Sequence, residues 1–272
     1  MSGNRLSGRL LSTAFGVIVV AAMLFPLYWM VNQSLQPGTG SGNNALFPVH
    51  PDFSVYAQVI GEQGSSLLTS LAIAFGCVIV TLVVAIPAAF SLAKFPGRAV
   101  TIVLTILLVS QMVPSIVIAN ALYKTYVDVG LLNSLPGLIL ADASAAIPFS
   151  ILVMRAFMLS IPDGLLDAAR VDGAGPIRTL VSIVIPISRN SIITSALFSF
   201  LFAWSDFVFA LTLTTSGKIR PVTLSIYDYL SSTIQDWAPV LATSVLSALP
   251  AVVLLVVAQR YVAAGALGGA IK

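Results

Sequence analysis

Asp206 stands in the middle of a long apolar run, Phe202-Ala203-Trp204-Ser205-Asp206-Phe207-Val208, and a second set of charges interrupts the chain at Asp167-Ala168-Ala169-Arg170-Val171-Asp172-Gly173-Ala174. Neither set pairs a nucleophile with a base. The single histidine, His50, sits between Pro48 and Pro51 and reads as a loop residue. The single cysteine, Cys77, lies in an apolar run, so no internal disulfide and no metal framework is expected. The Gly-rich phosphate loop G-x-x-x-x-G-K-[ST] is also missing, so the chain is not expected to hydrolyse ATP. The chemistry that remains is non-covalent. Asp206, with Trp204, Gln111 and Asn120 on apolar runs, offers polar or aromatic contacts inside a greasy setting, and the 167–174 stretch offers small side chains flanked by charges.

The elements that must position these residues are membrane spans. Of the 272 residues 58% are hydrophobic and 8% charged, against about 25% charged in a soluble domain. An all-α membrane protein follows, with no basic cluster suited to nucleic acid. A spanning helix needs about 20 mainly apolar residues, and six stretches qualify: 11–31, 67–93, 99–122, 136–157, 191–213 and 238–262. Pro26, Pro87, Pro114, Pro148 and Pro250 fall inside them, which lipid tolerates where neighbouring helices and hydroxyls satisfy the freed backbone. The first run follows Arg5 and Arg9 like a signal peptide, yet it is longer than such a core and ends in Pro26-Leu27-Tyr28-Trp29, an interfacial anchor. It is expected to stay as a helix.

Six spans put both termini on one side. With the N-terminus inside, Arg5, Arg9, Lys94, Arg98, Arg155, Arg170, Arg178, Arg189, Arg260 and Lys272 are cytoplasmic, and only Lys124, Lys218 and Arg220 lie outside. The positive-inside rule therefore predicts cytoplasmic ends. The outer loops carry Asp52, Glu62, Asp128, Asp228 and Asp236. The expected organisation is an N-terminal segment and first helix (1–31), an external loop (32–65), a five-helix core (66–262) and a cytoplasmic tail (263–272).

The charged stretch belongs to a cytoplasmic loop, 160–190. Ser160-Ile161-Pro162-Asp163 has capping-box spacing with proline in the first turn, so a short helix should run to about Val171. Asp172-Gly173 should end it, because glycine accepts the left-handed conformation, and Pro176 can open a second short helix. Ala169 and Gly173, four apart, should share one face with little bulk. Such a face allows close approach of a partner, with Asp167, Arg170 and Asp172 at its rim; an ordinary amphipathic loop helix is the other reading.

With Ile183-Val184-Ile185-Pro186 downstream, the segment resembles the EAA loop of permease subunits of binding-protein-dependent ABC importers: Glu-Ala-Ala, three residues, Gly, nine residues, Ile-x-Leu-Pro. Asp167 replaces Glu and Ile185 replaces Leu. Phe202-Ala203-Trp204-Ser205-Asp206 resembles the Trp-Asn-Asp segment of carbohydrate permeases of the maltose-transporter group, with Ser205 for Asn. Lys94-Phe95-Pro96-Gly97-Arg98 resembles a short inner loop of that group, and the small-residue tail 264–272 resembles that of its smaller permease.

The resemblance implies a type I ABC importer permease core with an added N-terminal helix, in a bacterial cytoplasmic membrane. It implies a second permease subunit as heterodimer partner, two ATPase subunits that carry the ATP and magnesium, and an extracytoplasmic binding protein. Asp167, Ala168, Ala169, Arg170, Asp172 and Gly173 would couple to the ATPase. The cargo would be a sugar, with a polyamine, phosphonate or peptide as the alternative; a secondary transporter would instead show inverted repeats and intramembrane ion sites. Asp206, Trp204, Gln111 and Asn120 are pathway candidates, since polar groups inside spans invite a functional reading. Each has a structural alternative: a hydrogen-bond partner for Asp206, interhelical bonding for Gln111 and Asn120, helix packing for Trp204. Asp142, toward the outer end of the fourth span, is a further buried acid.

Overall fold

A computed structural model of the chain describes residues 3–36, 45–48, 50–231 and 237–268, with side chains for the same residues other than 3–10, 228, 230, 231 and 262–268. Residues 37–44 of the external loop, Asp236 and the last tail residues lie outside the described residues, as do the side chains of Arg5 and Arg9. All regular structure among the described residues is helical: α1 (Gly3–Ser34), α2 (Ser54–Lys94), α3 (Arg98–Ser110), α4 (Ser115–Asp128), α5 (Leu135–Met158), α6 (Asp163–Val171), α7 (Pro176–Thr179), a π turn (Leu180–Val184), α8 (Ile185–Ile187), α9 (Arg189–Trp204), α10 (Val208–Leu213), α11 (Val222–Ser231) and α12 (Ala238–Gly268).

Four helical stretches are long and apolar enough to cross a bilayer: Leu11–Ser34, Ser54–Lys94, Leu135–Met158 and Ala238–Tyr261. Two sharply bent pairs raise the number to six if each counts as one span: α3 with α4, bent by 98°, and Pro176–Ile187 with α9, bent by 82°. Pro26, Pro87, Pro148 and Pro250 sit inside continuous helices. The third and fifth apolar runs, expected to be single helices, are broken. In the third, Pro114 precedes α4 in an extended conformation (ψ 138°), because proline disfavours helix in the residue before it and cannot donate to the turn. In the fifth, α9 stops at Trp204 and α10 restarts at Val208. α2 begins at Ser54, within the segment expected to be the external loop; Asp52 accepts a 2.8 Å bond from the Ser54 N–H, and the Ser54 hydroxyl together with that N–H holds its carboxyl below the usual range.

The chain divides into two compact units, and the division falls within α2, α11 and α12. In the first (residues 1–64 and 226–249), the end of α1 is tied down by Asn32 and Gln36, each donating to the Ala45 carbonyl at 2.9 Å. Ser34 bonds the Tyr56 hydroxyl at 2.6 Å, and Val55 and Val59 pack with Ala238 and Ala242. Upstream, Leu11, Phe15, Ile18 and Met23 are exposed; in lipid such a surface needs no cover.

In the second unit (65–225 and 250–272), α5 packs along α9. Serines line the seam: Ser150 and Ser199 bond each other at 3.2 Å, and Ser195 and Ser191 are buried beside them. Small hydroxyls let helix backbones approach, a usual device where no hydrophobic drive exists between helices. Phe149 and Phe198 meet edge-on at 5.2 Å, as do Phe75 and Phe200 at 5.3 Å. One core gathers around the start of α5, with Tyr126, Leu138, Phe209 and Leu213. Another gathers around its end, with Met154, Met158, Ile161, Leu166 and Val184.

The start of α5 is closely fitted. Ser134 accepts the Gly137 N–H at 3.1 Å, and Tyr126 donates to the Gly137 carbonyl at 3.0 Å. A Cβ on Gly137 would lie 2.2 Å from the Leu131 carbonyl oxygen. Backbone cannot yield as a flexible side chain does, so Gly137→Ala is expected to destabilise the unit by about 1–3 kcal/mol. Thermal unfolding in detergent measures it; an unchanged midpoint would show that the α5 entry relaxes freely.

Candidate functional site

The 160–190 loop forms a short helix, a glycine end and a bent second segment. α6 spans Asp163–Val171 behind Pro162 (ψ 134°). The capping box is not made: the Ser160 hydroxyl donates backwards to Phe157 O at 2.7 Å. Proline and the acid in the first turn suffice to start the helix. Its end is a left-handed glycine, Gly173 with φ 76°. The Gly173 N–H bonds Arg170 O at 3.0 Å and the Ala174 N–H bonds Ala169 O at 2.9 Å. That is the paired bonding of a Schellman ending, which satisfies carbonyls the helix would leave open.

Leu166 and Ala169 face inward and are buried, Leu166 with Met154, Met158 and Val184. This corrects one expectation: Ala169 does not share an open face with Gly173 but lets α6 lie close on its own chain. The open face is made by Asp167, Ala168, Arg170, Val171, Asp172 and Gly173. Arg170 and Asp167 pair along the helix at 2.8 Å with both side chains exposed, an arrangement worth little to stability. Apolar side chains stand among these charges, Val171 87% exposed and Ile177 78%.

Beyond Gly175, α7 opens on Pro176 and passes into the π turn. Pro186 follows two residues later. Its ring would crowd the carbonyl four residues back, Ser182, and it offers that carbonyl no donor. The widened turn over Leu180–Val184 sits at this spot, as wide turns do where an ordinary ladder fails.

Asp206 lies at the break between α9 and α10. One carboxylate oxygen accepts the Phe209 N–H at 3.2 Å and the other the Ala210 N–H at 2.9 Å. Its own carbonyl accepts from Thr223 Oγ1 at 2.7 Å. Asp206 is thus the acid that starts α10 inside an apolar surrounding. The neighbouring Ser205 hydroxyl turns back to Leu201 O at 2.8 Å. Trp204 is buried and stacks on Phe200, with centroids 5.5 Å apart and planes 12° apart.

Gln111 closes α3 at the other break and is exposed. Asn120 is exposed on α4, next to the buried Ala119; α4 itself packs on α10. Trp204 and Asp206 therefore come together at one break, and Gln111 marks another.

Three residues gain weight from the structure. Asp142 is fully buried, and neither carboxyl oxygen has a hydrogen-bond partner among the described residues. Lys94 ties α2 to the approach of α6, through the Ile161 carbonyl and Asp163, and Arg155 ties the end of α5 to α2 at Leu92 O. In the sequence they show as cations at the ends of apolar runs, which charge counting reads as topology, and Lys94 also as part of the Lys94–Arg98 resemblance.

A sequence description of the binding-protein-dependent transport system inner membrane component family matches residues 82–265. The trehalose transport system permease protein SugB of Mycobacterium tuberculosis is 30% identical over 261 residues, covering 94% of each chain. The diacetylchitobiose uptake system permease protein DasC of Streptomyces coelicolor is 29% identical and covers 98% of each. The melibiose/raffinose/stachyose import permease protein MelC of Bacillus subtilis is 26% identical over the whole of both. Among solved structures, a chain of a bacterial ABC transporter involved in the import of the acidic polysaccharide alginate superposes with a TM-score of 0.78 at 22% identity, covering 96% of this chain and 98% of that one. The match over most of its length, with the relatives' near-complete coverage, makes this chain a member of the binding-protein-dependent transport system inner membrane component family.

Proposed function

We propose that this chain is one of two permease subunits of an ATP-driven sugar importer, with α6 as the element that docks on a partner ATPase. The carrying observation is the open face of α6. Val171 and Ile177 are strongly exposed in a segment too charged for lipid, so their cover is another protein rather than acyl chains. Docking there uses Ala168 and Gly173 for close approach, with Asp167, Arg170 and Asp172 as polar rim. Ala169 acts from beneath, by seating α6. The ATP and magnesium sit on the partner ATPases, and both termini lie in the cytoplasm.

ATP binding favours one arrangement of the ATPase pair, and whatever moves with α6 shifts population accordingly. The sugar cargo is supported by the relatives' names, which cover trehalose, diacetylchitobiose and the melibiose group. Gln111 and Asn120 are open to a passing sugar or to the second permease. Trp204 and Asp206 shape the path by holding the break between α9 and α10.

The test is uptake of labelled trehalose into proteoliposomes holding both permeases, the ATPases and a binding protein. Accumulation is expected only with ATP and every component present. Uptake without the ATPases would sink the reading, and competition by a polyamine, phosphonate or peptide instead of sugars would move it to another cargo.

A further inference from the structure

Lys94 is the last residue of α2, and its side chain is only 11% exposed. A lysine ammonium that far from water must be paired. It donates to the Ile161 carbonyl and to Asp163 Oδ1, the latter at 2.8 Å. Both acceptors stand at the entry of α6: Ile161 is buried two residues before it, and Asp163 is its first residue. A second cation repeats the pattern nearby, as Arg155 in the last turn of α5 donates through Nε to Leu92 O at 3.0 Å. Below these contacts Ile161 and Leu166 pack with Ala85 and Ala89 of α2 and Met154 and Met158 of α5. α6 is therefore not hung only by its covalent ends. It is bonded at its first turn to α2, a helix remote in sequence.

We propose that Lys94 is a positioning residue for transport, a strut that makes α2 follow α6, with Arg155 holding the end of α2 to α5. The proposal rests on α6 being the ATPase-docking element. The two contacts of Lys94 differ in weight. Asp163 is 82% exposed, so that pair is screened and adds little. The Ile161 carbonyl is buried, and a buried acceptor that loses a charged donor bears the full cost. The strut thus runs mainly from ammonium to carbonyl, with the carboxylate steering it.

The experiment uses the whole complex in proteoliposomes and reads disaccharide transported per ATP hydrolysed, with trehalose or another disaccharide that the wild type accumulates. A cysteine at Ala168, cross-linked to one placed in the ATPase, reports docking separately. Lys94→Met is expected to keep the cross-link and ATP hydrolysis while transport per ATP falls about tenfold, the scale of one charged hydrogen bond. Lys94→Arg should recover most of the ratio, and Asp163→Asn should stay within about twofold of wild type. Lys94→Gln retains a shorter, uncharged donor, folds more readily, and should lose part of the ratio. An unchanged ratio in Lys94→Met or Lys94→Gln, with the cross-link intact, overturns the strut alone. A missing cross-link in the wild type overturns the strut together with the docking reading beneath it.

Discussion

Valine in place of Gly173 is expected to abolish ATP-coupled uptake while leaving the amount of subunit in the membrane unchanged. The residue has φ 76°, a conformation that costs an L residue about 1–2 kcal/mol and a β-branched one more. A Cβ there would meet nothing within 4 Å, so the penalty comes from the residue's own backbone and not from a neighbour in the chain. Escape from it breaks the bonds to Arg170 O and Ala169 O and unwinds the turn that presents Arg170, Val171 and Asp172. Hydrophobic spans elsewhere are untouched, so insertion survives. Asparagine visits the left-handed region far more readily, so Gly173→Asn should keep most uptake and Gly173→Ala should fall between. Uptake in proteoliposomes normalised to subunit by immunoblot gives the order. Were asparagine as inactive as valine, bulk against the partner rather than backbone handedness would be the limiting factor.

Alanine in place of Asp206 should lower stability by several kcal/mol and reduce transport whichever sugar is offered. Both carboxylate oxygens are engaged by backbone N–H groups of α10. Each such group left unpaired in an apolar setting costs about 1–3 kcal/mol. The loss should show as a lower midpoint in detergent and as weaker packing of α10 on α4 and α5. Asp206→Asn keeps one good acceptor and places an amide donor against an N–H, so it should fall between wild type and alanine. A capping role predicts the same proportional loss for every sugar. Loss for one sugar and not another, at unchanged stability, would instead return Asp206 to direct contact with cargo.

The ends of α6 were legible because they depend on local chemistry: proline and an acid to start, a left-handed glycine to stop. α5 was legible to within a residue at each end from the length of its apolar run, and the structure adds the Ser134 cap that fixes its start. The breaks in the third and fifth runs were not. Hydropathy reports the solvent of a segment and says nothing of its direction, and both Pro114 and Asp206 have precedents inside straight spans. The orientation of Ala169 was missed for a related reason. A four-residue spacing groups side chains on one face but does not say whether that face meets a partner or the chain's own core. Lys94 was visible as a charge in the count and as part of the Lys94–Arg98 resemblance, neither of which names a partner. Its acceptors, the Ile161 carbonyl and Asp163, lie far along the sequence and come to it only through the packing of α2 beside α5.

The π turn over Leu180–Val184 holds one residue more than an ordinary α turn of the same rise would need. Remove one residue there and the pieces on either side can keep their facing, although Pro186 still denies the carbonyl four residues back a donor. The same deletion at 168 or 169 would rotate Asp167 by roughly 100° relative to Arg170, Asp172 and Gly173. The loop therefore contains one place where chain length is negotiable and, a turn or two away, another where it is fixed. Grafting this loop onto a different ATPase partner would best adjust its reach between 180 and 184, leaving the count from Asp163 to Gly173 intact.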